Sequence, residues 1–161
     1  MIVYHPVVID ASASIDPSCT IWQFATICAE AILESEVVIG SGVWIGKRVR
    51  IGCGSRIQHG TFIPNDTIIG AHVFIGPNVT MTDDRYPKVV NPSYHAEPPV
   101  LRDYCSIGAG AVLLPGVVIG ERAFVGAGSV VTKSVTAFST VIGVPAHRQF
   151  STSERELYET A

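Results

Sequence analysis

An all-β parallel helix of short strands is the fold class this sequence predicts, and three observations predict it. An aliphatic residue recurs at every sixth position, a small or β-branched residue stands two places before it, and a glycine or aspartate commonly follows it. The aliphatic series runs unbroken from Ile9 through Ile15, Ile21, Ile27, Leu33, Ile39, Ile45, Ile51, Ile57, Ile63, Ile69 and Ile75 to Met81, thirteen members in succession. It returns at Ile107 and continues through Leu113, Ile119, Val125 and Val131, with Ala137 as a weaker last member.

Each element follows from that series. Same-face spacing of two is the period of a strand, so Ala13, Cys19, Ala25, Ala31, Val37, Val43, Val49, Ser55, Thr61, Thr67, Val73 and Val79 point inward beside the aliphatics. Gly40, Gly46, Gly52, Gly70, Gly76, Gly108, Gly120 and Gly126, with Asp10 and Asp16, let the backbone turn just after them. Each hexad reads as one strand and one corner. Such a unit cannot bury its apolar side alone, so successive turns must stack into a solenoid.

Composition narrows the function. The chain has 161 residues, 47% hydrophobic and 16% charged, which excludes a disordered or charge-rich binder. Eleven basic against fourteen acidic residues leave a net charge of −3, with no basic block to gather a phosphate backbone, so no nucleic acid partner is expected. No apolar run approaches the roughly 20 residues of a membrane helix, so no membrane insertion is expected. Cys19, Cys28, Cys53 and Cys105 form no C-x-x-C pair and the N-terminus does not read as a signal peptide, so the expectation is a reduced, cytoplasmic protein without structural zinc. His5, His72, His95 and His147 have no partner at metal-ligand spacing, and no metal is expected.

The period resembles the left-handed parallel β-helix of the hexapeptide acyltransferases over residues 7–142. That resemblance implies three hexads per triangular coil, residues eighteen apart stacked vertically, and about six coils within a domain spanning residues 1–148. It also implies a homotrimer. Folded this way, one wall carries the outward residues Val8, Thr26, Trp44, Phe62, Thr80, Val118 and Thr136, none of them charged, whereas the other two carry Arg50 and Arg56. The uncharged wall is the expected subunit contact. Residues 149–161 lose the period and read as a short C-terminal helix capping the open end.

The spacing of 26 between Met81 and Ile107 leaves twenty residues beyond one hexad, an expected loop over about 84–103. It is rich in polar and aromatic residues, and long loops on rigid scaffolds commonly carry function. It departs from a corner where Lys47, Asn65 and Asp83 stack. The segment from Ile75 to Lys88, with Ile21-Trp22-Gln23-Phe24, Ile57-Gln58, Gly126-Ala127-Gly128 and Gly143-Val144-Pro145-Ala146, is similar to the branch that N-acetylates nucleotide-linked (dTDP or UDP) 3-amino sugars for surface glycans such as lipopolysaccharide. In that branch the sugar amine attacks the acetyl-CoA thioester directly, and an asparagine usually stands where this chain has Asp83.

A carboxylate at position 83 either holds the ammonium and accepts its proton or forms a structural ion pair with Arg85. His59, stacked with Gln23 and Pro77, is the second candidate base. Asn78, Asp84, Arg85, Tyr86 and Lys88 are the expected substrate contacts, a guanidinium fork suiting phosphate oxygens. The resemblance places acetyl-CoA, the acyl donor, between neighbouring solenoids against Gly108, Ala109, Gly110 and Ala127, with Lys133, Pro145 and Arg148 toward its phosphates and nucleotide. Ordinary corner glycines are the competing account. Two other functions fit the repeat: an O-acetyltransferase, which needs a true base such as His59, and a carbonic-anhydrase-like β-helix, which needs converging histidines around zinc.

Overall fold

The computed structural model describes residues 1–149 as a left-handed parallel β-helix, triangular in section. Its strands are almost all two residues long, one residue facing in and one out. They stack on three walls of nine, seven and six strands, and the last strand of the first wall, His147–Gln149, is antiparallel to its neighbour. An isolated bridge from Ile119 to Val135 extends the third wall. Seven full turns and the start of an eighth result, more than the six coils expected from the repeat, because Ile2–Val3 and Thr140–Ile142 also join the ladder.

Backbone pairing accounts for the short strands. Ile2 N donates to the Cys19 carbonyl at 2.9 Å, Thr26 N to Val43 at 2.9 Å and Ile32 N to Val49 at 2.8 Å, so each turn satisfies the next. Every inward aliphatic from Ile21 to Val131 is essentially inaccessible, and burying each contributes roughly 1.5–3 kcal/mol. The hydroxyls at the small inward positions are satisfied: Ser55 Oγ donates to the Gly70 carbonyl at 2.9 Å and Thr61 Oγ1 to Gly76 at 3.1 Å. Corners are as regular as strands. At their second position the backbone takes positive φ, with Phe24 at 64°, Asn78 at 57° and Gly110 at 66°.

The excursion is shorter than the spacing suggested. Ile69 pairs with Leu101, 32 residues on instead of 18, so fourteen residues are inserted and the period resumes at Val100–Leu101. The loop proper occupies 82–99. That hexad is hidden in the sequence because the buried Pro99 takes the small inward position. The count from Met81 to Ile107 stepped over it and rotated the later walls by one. The second wall therefore presents Val8, Thr26, Trp44, Phe62, Thr80, Val112 and Val130, while Val118 belongs to the third wall and Thr136 to a corner. It remains free of charge.

The C-terminal helix expected over 149–161 is not met where the structure can be read: Gln149 closes a strand, and 150–161 lie outside the described residues. Among the described residues no helix is long and apolar enough to cross a membrane.

Candidate functional site

The prism has three edges, and the sequence-predicted residues fall on the two that flank the uncharged second wall. The edge between first and second walls stacks Gln23, Ser41, His59, Pro77, Ala109 and Ala127 at one corner position and Phe24, Gly42, Gly60, Asn78, Gly110 and Gly128 at the next. His59, Asn78, Ala109, Gly110 and Ala127 are exposed there. The edge between second and third walls stacks Lys47, Asn65, Asp83, Pro115 and Lys133. The two base candidates, Asp83 and His59, thus lie on different edges of one chain, one turn apart along the axis, which is about 4.8 Å of rise.

Asp83 is half-buried at the root of the loop. Its Oδ2 accepts a hydrogen bond from the Tyr94 hydroxyl at 3.0 Å, and its carbonyl accepts Glu97 N at 2.8 Å. Burial, then the Asp83 carboxylate, push the Tyr94 phenol above its ordinary pKa, so it stays a donor. The ion pair between Asp83 and Arg85 that the sequence left open is not formed. Arg85 Nη2 instead meets Glu97 Oε2 at 2.7 Å and donates to the Pro115 carbonyl at 3.1 Å. The hydrogen bond and charge of Arg85 hold the Glu97 carboxyl below the usual glutamate range. With Gly116 N donating to the Glu97 carbonyl at 2.6 Å, this clamp ties both ends of the loop to the turn above. Arg85 is accordingly engaged within the loop and not turned out toward a diphosphate.

Asp84 is engaged as well: its Oδ1 accepts Tyr86 N at 2.9 Å and shapes the loop's first turn. Tyr86 and Lys88 project into solvent farther out. Tyr94 and Glu97 were visible in the sequence only as members of a polar loop. No spacing rule marks a pair eleven or twelve residues apart across irregular chain.

The glycines of the donor groove separate into two kinds. At Gly108 an added Cβ would fall 2.4 Å from Ala127 N, so the approach of stacked corners excludes a side chain. At Gly110 and Gly128 it would meet nothing within 4 Å. Positive φ does not by itself demand glycine at these two, since among the described residues Phe24, Asn78, Tyr104 and seven other non-glycines adopt it. What glycine adds there is an open edge along which a ligand can lie against backbone.

At the C-terminal end, Lys133, His147 and Arg148 line one cavity of about 300 Å³ with Ser134, Thr136 and Ser139. Cationic and hydroxyl groups gathered this way suit phosphate oxygens. Pro145 lies beside it in an exposed segment whose Ala146 N donates to the Val130 carbonyl at 2.8 Å. Among the described residues no three His, Cys, Asp or Glu side chains gather as metal ligands.

Residues 48–83 and 98–133 match the bacterial transferase hexapeptide repeat family, described as six repeats. The matched stretches end at Asp83 and resume just before Val100, so they bracket the loop. Over these two stretches the chain is similar to the hexapeptide-repeat transferases. It is 40% identical over 63 residues to a serine acetyltransferase of Buchnera aphidicola, covering 38% of this chain and 24% of that one. It is 47% identical over 51 residues to a 2,3,4,5-tetrahydropyridine-2,6-dicarboxylate N-acetyltransferase of Staphylococcus aureus, covering 32% and 21%. The matched parts thus span less than a quarter of these curated relatives. Among solved structures, a hexapeptide-repeat acetyltransferase of Vibrio cholerae complexed with acetyl coenzyme A superposes with a TM-score of 0.64 at 27% identity, covering 72% of this chain and 68% of that one.

Proposed function

We propose that this protein is an acetyl-CoA-dependent N-acetyltransferase acting on the amine of a nucleotide-linked amino-deoxy sugar, in the cytoplasm, for surface glycan assembly. The observation that carries the reading is Asp83: a carboxylate at the root of the inserted loop, oriented by Tyr94, spared by Arg85 and level with the exposed turns of the neighbouring edge. The Vibrio cholerae structure supports the donor, the Staphylococcus relative supports an amine as acceptor, and the motifs from Ile75 to Lys88 support the sugar.

In this reading the site lies between copies. A prism that packs its uncharged second wall toward a three-fold axis brings the His59 edge of one copy against the Asp83 edge of the next. The donor lies in that groove, its pantetheine arm against Gly108, Ala109, Gly110 and Ala127, and its phosphates toward Lys133, Pro145 and Arg148. Asn78, Tyr86 and Lys88 face the acceptor, and Asp84 and Arg85 serve by shaping the loop.

The chemistry asks for little beyond placement. The amine nitrogen forms a bond to the thioester carbonyl carbon, the carbon–sulfur bond breaks, and CoA leaves as a thiolate that takes up a proton. Asp83 accepts the hydrogen bond of the attacking amine and receives the proton it sheds. A neutral amine is already a good nucleophile, so holding it near the carbonyl supplies most of the rate. His59 then has no required part, whereas O-acetyl transfer would need it to deprotonate a hydroxyl.

The test is CoA release, read with a thiol reagent, on mixing the protein with acetyl-CoA and a panel of dTDP- and UDP-linked amino sugars. Turnover with an amino sugar and none with its hydroxy counterpart is expected. Release with no member of the panel, from a protein that sediments as a trimer, overturns the proposal.

A further inference from the structure

The fold stacks planar side chains up its edges at its own repeat distance. Tyr4 and Trp22 lie ring on ring with centroids 4.4 Å apart and planes 12° from parallel. On another edge His72 and Tyr104 stack at 5.1 Å, and the Arg122 guanidinium sits 4.8 Å above the Tyr104 ring. Each step is close to the roughly 4.8 Å between adjacent strands. At the first edge the ladder stops after Trp22. The next turn is Gly40-Ser41-Gly42: at Gly40, in register with Trp22, a Cβ would fall 2.5 Å from His59 N, whereas at Gly42, in register with Phe24, it would meet nothing within 4 Å. Side chains resume one turn later, at Gln58 and His59.

One rung is therefore absent. Trp22 and Phe24, Gly40 to Gly42, and Gln58 to Gly60 line an open depression of about 490 Å³ in its place. Trp22 is 39% exposed and Phe24 65% exposed, large aromatic surface that Tyr4 covers on one side of Trp22 only. Two rises, about 9.6 Å, separate the Trp22 turn from the Gln58 turn, room for one flat ring between them. The intervening turn supplies the Ser41 hydroxyl and the far side the Gln58 amide and the His59 imidazole, groups that can both donate and accept at a ring edge. No side chain lining the slot bears a fixed charge, so it suits an uncharged polar heterocycle.

We propose that this slot takes the nucleobase of the acceptor, stacked on the free face of Trp22; the assignment rests on the acetyl-transfer reading. The base would lie at the third turn and Asn78 at the fifth, about 10 Å apart along the edge, leaving the ribose and diphosphate to span the interval. The donor also carries a base, but its cationic cavity at Lys133, His147 and Arg148 is past the seventh turn, roughly 19 Å or more away.

The chain has two tryptophans, Trp22 and Trp44, so a Trp44→Phe variant leaves Trp22 as the sole reporter of fluorescence. Titration of that variant with dTDP or UDP is expected to quench Trp22, and ribose 5-phosphate is not. Trp22→Leu should raise the KM for the nucleotide sugar about ten-fold, the scale of one base stacked on an aromatic, with KM for acetyl-CoA unchanged. Gly42→Phe places an aromatic ring beside the slot, in register with Phe24 and at a corner whose φ of 67° matches the 64° of Phe24, so it should keep the fold and lose the quench.

Turnover of amino-sugar nucleotides without any quench by dTDP or UDP overturns the slot and leaves the transferase reading standing. Quench by 3′,5′-ADP equal to that by dTDP assigns the slot to the donor and overturns the proposal. Quench by dTDP that Gly42→Phe abolishes, in a protein that acetylates nothing, upholds the slot and defeats the transferase reading.

Discussion

At the scale of single residues, Tyr94 and two glycines carry the sharpest expectations. The Tyr94 hydroxyl donates to the Asp83 carboxylate. Hydrogen bonds to charged groups contribute about 1.5–3 kcal/mol, so Tyr94→Phe should lower kcat/KM by roughly ten-fold or more. A purely structural role for Tyr94 would lower Tm together with activity, so a kinetic loss at unchanged Tm checks that it acts by orienting Asp83. Gly108 and Gly110 separate fold from ligand. Gly108→Ala drives a Cβ to 2.4 Å from the Ala127 backbone and should lower stability by about 1–3 kcal/mol, read as a fall in Tm. Gly110→Phe meets no protein atom within 4 Å of its Cβ, so the expected stability cost is only the roughly 1–2 kcal/mol of a side chain in left-handed backbone, together with a higher KM for acetyl-CoA. An unchanged KM for acetyl-CoA would remove the argument for an open donor groove.

At the scale of elements, the loop is a strap. Glu97 receives Arg85, which also holds the Pro115 carbonyl, and the Glu97 carbonyl receives Gly116 N, so both ends of 82–99 are fastened to one corner. Arg85→Ala or Glu97→Gln should release it, seen as faster proteolysis within residues 86–95 with the solenoid intact and as a higher acceptor KM. The pH dependence has a definite sign. The folded Glu97 pKa is depressed by Arg85, so the strap's contribution is fully present above the ordinary glutamate value, about 4.3, and fades as pH falls through the lower folded value. Loop proteolysis by an acid-active protease should therefore accelerate below about pH 4 in the parent and change little in Glu97→Gln. The pair is solvent-exposed and its share of global stability small.

At the scale of the whole molecule, the proposed trimer gives the division of candidate residues between two edges a testable consequence. Asp83 stands on one edge and Gly110 on the other, with the uncharged wall between them. If the site forms between copies, Asp83→Ala and Gly110→Phe are each impaired alone at limiting acetyl-CoA, yet their mixed assemblies regain activity, because some interfaces then join two intact edges. Refolding the two variants together and assaying CoA release checks this. A mixture no more active than its components would place the site within one chain. Replacing the wall aromatic Phe62 by Glu should dissociate the assembly in sedimentation and abolish turnover together.

Much of this protein was legible in its sequence because the fold repeats one local rule. Inward aliphatics at sixes, small companions two before and corner glycines after determine strand, corner and stacking. Each is a contact between neighbouring hexads, and family resemblance added the hand and the three-fold section. The rule failed where it was interrupted: Pro99 concealed the hexad at Leu101, and every wall after the loop was misplaced by one face. Only the tertiary structure decided that Arg85 pairs with Glu97 and not with Asp83, that Tyr94 orients Asp83, and that a rung is missing beside Trp22. Those are contacts of irregular chain or vacancies between turns, set by where side chains come to rest in space, and no periodicity in a linear sequence encodes them.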